Sequence, residues 1–135
     1  MSNIMAAIGN VQLERFDELY AKRKKLVKRY LNNLKNFADI NLLKIKYDEI
    51  FMHIFPVILP QRVDRVKLRE RLNLLGIATG VHYYPNHYLT LYKKNITLKN
   101  TEKIYSQILT LPLHFDLQLY EVDIITDNLK KFIED

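Results

Sequence analysis

Cysteine is missing from this chain of 135 residues. Its absence excludes disulfides and thiolate metal sites, and it removes the most nucleophilic side chain. It also fits a cytoplasmic origin. No apolar run approaches the roughly 18 residues of a membrane span, so none is expected. No basic segment followed by an apolar one opens the chain, so no secretory signal is read. Glycine is scarce, three residues in all, and no glycine-rich phosphate loop is built from them. No serine stands in a nucleophile-elbow context. No repeat, low-complexity tract or linker divides the sequence. What is present is enough for one ordinary domain: 48% of residues are apolar and 27% charged, so a real core can be buried.

Charge of one sign is in excess. The net charge is +6, with 21 Lys and Arg, which would suit an anionic partner such as nucleic acid or a nucleotide. Much of the excess lies in one run, Lys22-Arg23-Lys24-Lys25 with Lys28 and Arg29. No aromatic residue is interleaved within Lys22–Lys25 and no nucleic-acid motif stands nearby, so the run is read as a solvated helix face.

Apolar residues at Ile4, Ile8, Val11, Phe16, Leu19, Tyr20, Val27, Tyr30, Leu31 and Leu34 keep a spacing of three and four. They predict one long helix from Asn3 to Lys35, with Ser2 or Asn3 as N-cap and a Glu18–Lys22 pair on its surface. At about 1.5 Å per residue it would be roughly 50 Å long. Its apolar first turns need cover, which implies an oligomer or a missing N-terminal part. Phe37–Tyr47 is a candidate strand with polar interruptions. Phe51–Leu59 is a better one, apolar on both faces, in which Pro56 argues for a sheet edge or a bulge and His53 reads as a core histidine. Asp64 caps a second helix to Leu75. Asn95–Asn100 is a polar loop, and a third helix spans Thr101–Leu109. Leu111–Phe115 is a short strand or extended link. A last helix, Gln118–Ile133, places Val122, Ile125, Leu129, Phe132 and Ile133 at helical spacing. The expected fold is α+β, a small sheet of about three or four strands packed by helices.

The chain is organised around Gly76–His87, which packs two glycines, two histidines, two tyrosines and a proline into twelve residues. Gly76 falls where a helix ending on Leu74-Leu75 needs a left-handed residue. Ile77–Tyr83 alternates as a strand, Pro85 stops it, and Tyr84–Tyr92 follows as an exposed loop carrying His87, Tyr88 and Tyr92. Tyr83, Tyr84, His87 and Tyr88 form a cluster of donors and rings suited to a ligand. In the alternative, Val81 and Tyr83 fill the core while His82 and Tyr84 face solvent, and the sequence leaves both open. His82 and His87 are five apart with no nearby carboxylate, so no metal site is read.

Four segments resemble the DegT/StrS family of pyridoxal-phosphate-dependent aminotransferases, which act on nucleotide-linked keto-sugars. Met1–Leu19, MSNIMAAIGNVQLERFDEL, resembles the family's MSEIQAAIGLAQLEKLDEL. Met52–Ile58 is similar to its YHLYVI strand. Gly76–His87 resembles GIxTxVHYxPxH, and Thr101–His114 resembles AEKxxxxxLSLPLxP. Phe115 departs from the family's proline, and Pro56 is unusual inside the strand. The resemblance implies the C-terminal small domain of such an enzyme, residues 1–135 as a single domain. The Schiff-base lysine, the aspartate facing the pyridine nitrogen and the stacking aromatic would all lie upstream. No cofactor is then expected in this chain, and pyridoxal phosphate only in the intact parent. The resemblance further implies that the Tyr83–His87 loop faces the sugar nucleotide or the amino donor, with His87, Tyr84, Tyr83 and His82 as substrate-binding residues in that order. Two other classes stay open: a small basic nucleic-acid-binding module, and a free-standing oligomerisation or regulatory domain.

Overall fold

The computed structural model describes residues 2–93 and 96–135. The first helix pattern resolves into two elements, α1 (Asn3–Glu14) and α2 (Phe16–Leu34), divided at Arg15 with φ −89° and ψ 4°. Ser2 caps α1 through Oγ, which accepts from Met5 N. The division falls where cover begins. No residue of α1 is buried, whereas α2 buries Leu26, Val27, Tyr30 and Leu34. At the joint Phe16, Tyr20 and Phe51 stack on one another, and the Arg15 guanidinium lies over the Phe115 ring. Glu18 pairs with Arg15 rather than with Lys22.

Three strands follow. β1 (Asn41–Leu42) and β2 (Phe55–Ile58) are much shorter than the sequence pattern suggests, and β3 (Ile108–Leu111) completes an antiparallel sheet in the order β1-β2-β3. The expectation of an edge strand at Pro56 is wrong: β2 is central. Its register explains how a residue with no N–H is tolerated. Pro56 faces Thr110, whose own N–H and C=O are both bonded to Gly80 on the far side. On the other flank β1 ends at Leu42, opposite Val57, one pair short of the proline. His53 is not a core histidine. It lies ahead of β2 and is exposed, because the alternation from Phe51 does not continue as strand.

α3 (Arg65–Leu74) starts on Asp64, which accepts from Val66 N and Lys67 N, and it buries Leu68 and Leu72. Gly76 takes φ 74°, the left-handed residue its position requires. Ile77–Tyr83 does not form a strand. It touches the sheet once, through the Gly80–Thr110 bridge on the outer edge of β3. The polar loop expected at Asn95–Asn100 begins outside the described residues, and its end belongs to α4 (Lys99–Gln107). That helix stops two residues before the expected Leu109, since Ile108–Leu111 pairs with β2. The extended segment expected at Leu111–Phe115 therefore starts earlier.

α5 (Leu119–Glu134) has a reciprocal capping box between Gln118 and Glu121. It buries Val122, Ile125, Thr126, Leu129 and Ile133 against α2 and α3. Phe132 is half-buried beneath Arg71. Polar groups along the α2–α5 seam are matched. Arg29 grips both Asp123 oxygens at 2.7 and 2.6 Å, and Asn33 Nδ2 donates to Asp123 at 2.7 Å and to Thr126 at 3.0 Å. Tyr30, fully buried, donates to the Pro112 carbonyl at 2.8 Å, and burial pushes its phenol well up from the ordinary range. The basic run is partly spoken for: Lys24 and Lys28 meet Asp48, and Arg23 reaches the Met52 carbonyl. Among the described residues no helix is long and apolar enough to cross a membrane.

Candidate functional site

The segment after Gly76 leaves the sheet at Gly80. A Cβ added at Gly80 would come within 2.6 Å of the His82 ring, so the imidazole folds back over the bare glycine and a larger residue there would displace the ring from this pose. In that pose His82 Nδ1 lies 3.0 Å from Thr110 Oγ1. His82 is thus tied to the edge of β3, half-buried, and Tyr83 stands edge-on against it with its own side chain 68% exposed. The alternative in which Tyr83 fills the core does not hold.

The chain then turns at Pro85, which is buried, into two short 3-10 turns, Asn86–Tyr88 and Thr90–Tyr92. The loop is exposed in part only. His87 is buried, and its Nε2 sits 3.0 Å from Glu102 Oε1 in the first turn of α4. The same carboxylate oxygen accepts from Leu98 N at 2.9 Å. The Leu98 amide, then the imidazole, hold the Glu102 carboxyl below its ordinary range. The Tyr88 phenol faces that carboxylate as well; partial burial, then the negative charge, raise it. Tyr88 packs edge-on to Tyr84 with ring centroids 5.7 Å apart, and Tyr84 stands at 87° to Tyr105 at 5.4 Å. Arg65 covers Tyr105 and donates to the Tyr105 carbonyl.

The four residues singled out in the sequence therefore divide. Tyr83 and Tyr84 present rings to the outside, His82 is bound to the sheet, and His87 is bound to α4. Beside them opens a cleft of about 560 Å³ lined by Asn86, His87, Tyr92, Lys93, Leu98 and Thr101, among others. Sequence reasoning missed Glu102. The signal was an acid in the first turn of a helix whose N-cap is a leucine with no capping side chain. It missed Thr110 and Tyr105 as well, which reach the site only through tertiary folding. Among the described residues no group of three or more His, Cys, Asp or Glu could hold a metal.

A small three-stranded sheet with a helix-lined core and an aromatic loop at its edge is the architecture of an aminotransferase C-terminal domain. The chain belongs to the DegT/DnrJ/EryC1/StrS aminotransferase family, whose model matches residues 1–130. It is 29% identical, over 99% of its length, to the UDP-4-amino-4,6-dideoxy-N-acetyl-beta-L-altrosamine transaminase of Campylobacter jejuni, of which it covers 37%. It superposes on a putative sugar aminotransferase from Streptococcus pneumoniae in its PLP-form with a TM-score of 0.87 and 33% identity, covering 99% of this chain and 36% of that one. Helicobacter pylori PseC, an aminotransferase involved in the biosynthesis of pseudoaminic acid, matches at a TM-score of 0.86 and 28% identity, covering 97% of this chain and 37% of that one. The chain thus spans little more than a third of the length of the relatives it matches.

Proposed function

We propose that this chain is the C-terminal small domain of a pyridoxal-phosphate-dependent aminotransferase acting on a nucleotide-linked keto-sugar in amino-sugar or surface-polysaccharide synthesis, and that it is catalytically incomplete alone. The family match over residues 1–130 carries the reading. Its residues do not fit the cofactor. A transaminase needs a desolvated lysine to hold the aldehyde, and none of the described lysines is buried. The domain's part is to supply one wall of a site completed by a cofactor domain or a second copy, in the cytoplasm.

On this reading Tyr84 and Tyr83 meet the sugar nucleotide or the amino donor through their exposed hydroxyls. His87 sits behind them, on the cleft wall, and His82 shapes the strand end. Hydrogen bonds from such groups to sugar hydroxyls or diphosphate oxygens orient the substrate and leave proton transfer to residues elsewhere. The test is to mix the chain with pyridoxal phosphate, dialyse, and record the near-visible absorbance. No retained band and no amino-group exchange from glutamate are expected. A stoichiometric band that survives dialysis and responds to glutamate would sink the reading.

A further inference from the structure

We propose that Glu102 is a positioning residue, a clamp that fixes the 85–92 loop through His87 and so sets how the Tyr84 and Tyr88 rings are displayed. Two hydrogen bonds converge on one carboxylate oxygen, with a phenol beside it. Leu98 N comes from α4's own N-terminus, His87 Nε2 comes from the loop, and the Tyr88 phenol faces the same group. His87 has 6% of its side chain exposed and Glu102 26%, so the contact is largely shielded from water, where a charge-assisted hydrogen bond holds best. The ionised carboxylate selects the imidazole form with its proton on Nε2. From His87 the restraint passes to Tyr88 at 4.3 Å and from Tyr88 to Tyr84 at 5.7 Å. Within the loop, Tyr88 N bonds Pro85 O and Leu89 N bonds Asn86 O in the first short turn, and Tyr92 N bonds Leu89 O in the second. Tyr84 also rests on Tyr105, so without the clamp it is the Tyr88 ring that is freed to turn away from Tyr84, and a site wall must be held in place to orient anything.

The inference rests on the reading that this loop faces substrate, and its test is arranged to separate the two. Glu102 also caps α4, so the variants must part the clamp from the cap. Glu102→Ala removes both. Leu98→Asp combined with Glu102→Ala restores an N-cap carboxylate to α4 and leaves His87 without its partner. Hydrogen exchange is followed at Tyr88, Leu89, α4 and α5, with the ring signals of labelled Tyr84 and Tyr88, in the full chain without ligand. In Glu102→Ala the loop amides should exchange faster by at least about tenfold, the loss that goes with a charge-assisted hydrogen bond, while α5 is unchanged. The Tyr84 and Tyr88 ring signals should move toward those of free tyrosine. In the double variant α4 should recover and the loop should not. The clamp is refuted if the loop recovers together with α4, if loop and rings never respond, or if α5 loosens in step with them. UDP-N-acetylglucosamine is then added to the parent chain. A shift of the Tyr83 and Tyr84 signals that is lost in Glu102→Ala and in the double variant alike, and kept in Leu98→Asp alone, ties the clamp to substrate. A parent chain that does not respond, with the loop data as expected, removes the substrate reading and leaves Glu102 as the residue that orders the loop.

Discussion

α1 and α5 are both amphipathic helices of ordinary length, and their fates differ. α5 is sealed into the core along its apolar stripe. α1 leaves Ile4 74% exposed, Met5 58%, Ile8 52% and Val11 51%, with none of its residues buried. Both carry apolar residues three and four apart, more sharply segregated in α5, and such spacing says that a face wants cover and not where the cover is. α1 carries one charged side chain in twelve residues, Glu14, whereas α5 carries four acids and two lysines around a buried stripe. An exposed apolar face of that kind is a candidate contact surface.

The sharpest way to probe the contrast is to remove the same kind of side chain from each helix. Leu129→Ala in α5 should cost about 2–5 kcal/mol by leaving a cavity among α5's neighbours. Chemical denaturation reads this directly, and a loss below about 1 kcal/mol would mean that α5 is not the core helix described here. Next in size is Gly76→Val, which places a β-branched residue at φ 74° where no neighbouring atom obstructs a Cβ. The cost is conformational, about 1–2 kcal/mol, seen as a lower Tm.

Smaller still is the pH dependence of the α2–α5 seam. The Arg29 guanidinium, then Asn33, hold the Asp123 carboxyl down at about 2. A folded-state pKa below the unfolded one means that this contribution is fully present above about pH 4 and is lost as pH falls through about 2. Asp123→Asn should flatten that part of the acid-unfolding curve; an unchanged curve would show that Asp123 is not held in this way. The least effect is expected from Ile8→Gln in α1, within about 0.5 kcal/mol on the isolated chain, because water already surrounds that side chain. The same change should reduce any self-association seen by sedimentation, and a large drop in Tm would show that α1 is covered within one chain.

Much of the architecture was legible because it rests on local signals. Asp64 and Gly76 bracket α3 as expected, and the stripe of α5 named four of its five buried residues. Thr126 escaped because a threonine reads as polar, yet its hydroxyl is satisfied by Asn33 and by the Val122 carbonyl. Pro56 misled because its tolerance depends on where β1 ends and on Thr110 pairing outward to Gly80, neither of which is local. The site was legible as a cluster and not as a geometry. His87 was expected on an exposed loop after Pro85, but a carboxylate 15 residues on draws it inward. Its replacement by alanine is therefore expected to lower stability as well as to disturb the loop.

The α2–α5 seam has a bearing on how the chain reaches this state. Asn33 and Thr126 are 93 positions apart, Arg29 and Asp123 are 94 apart, and Tyr30 meets Pro112 across 82. Contacts so remote in sequence close large loops before they return any free energy, which slows folding. During synthesis the α2 face that packs on α5 must wait uncovered until α5, about a hundred residues later, has left the ribosome. At about 5–20 residues per second, that wait lasts roughly 5–20 seconds.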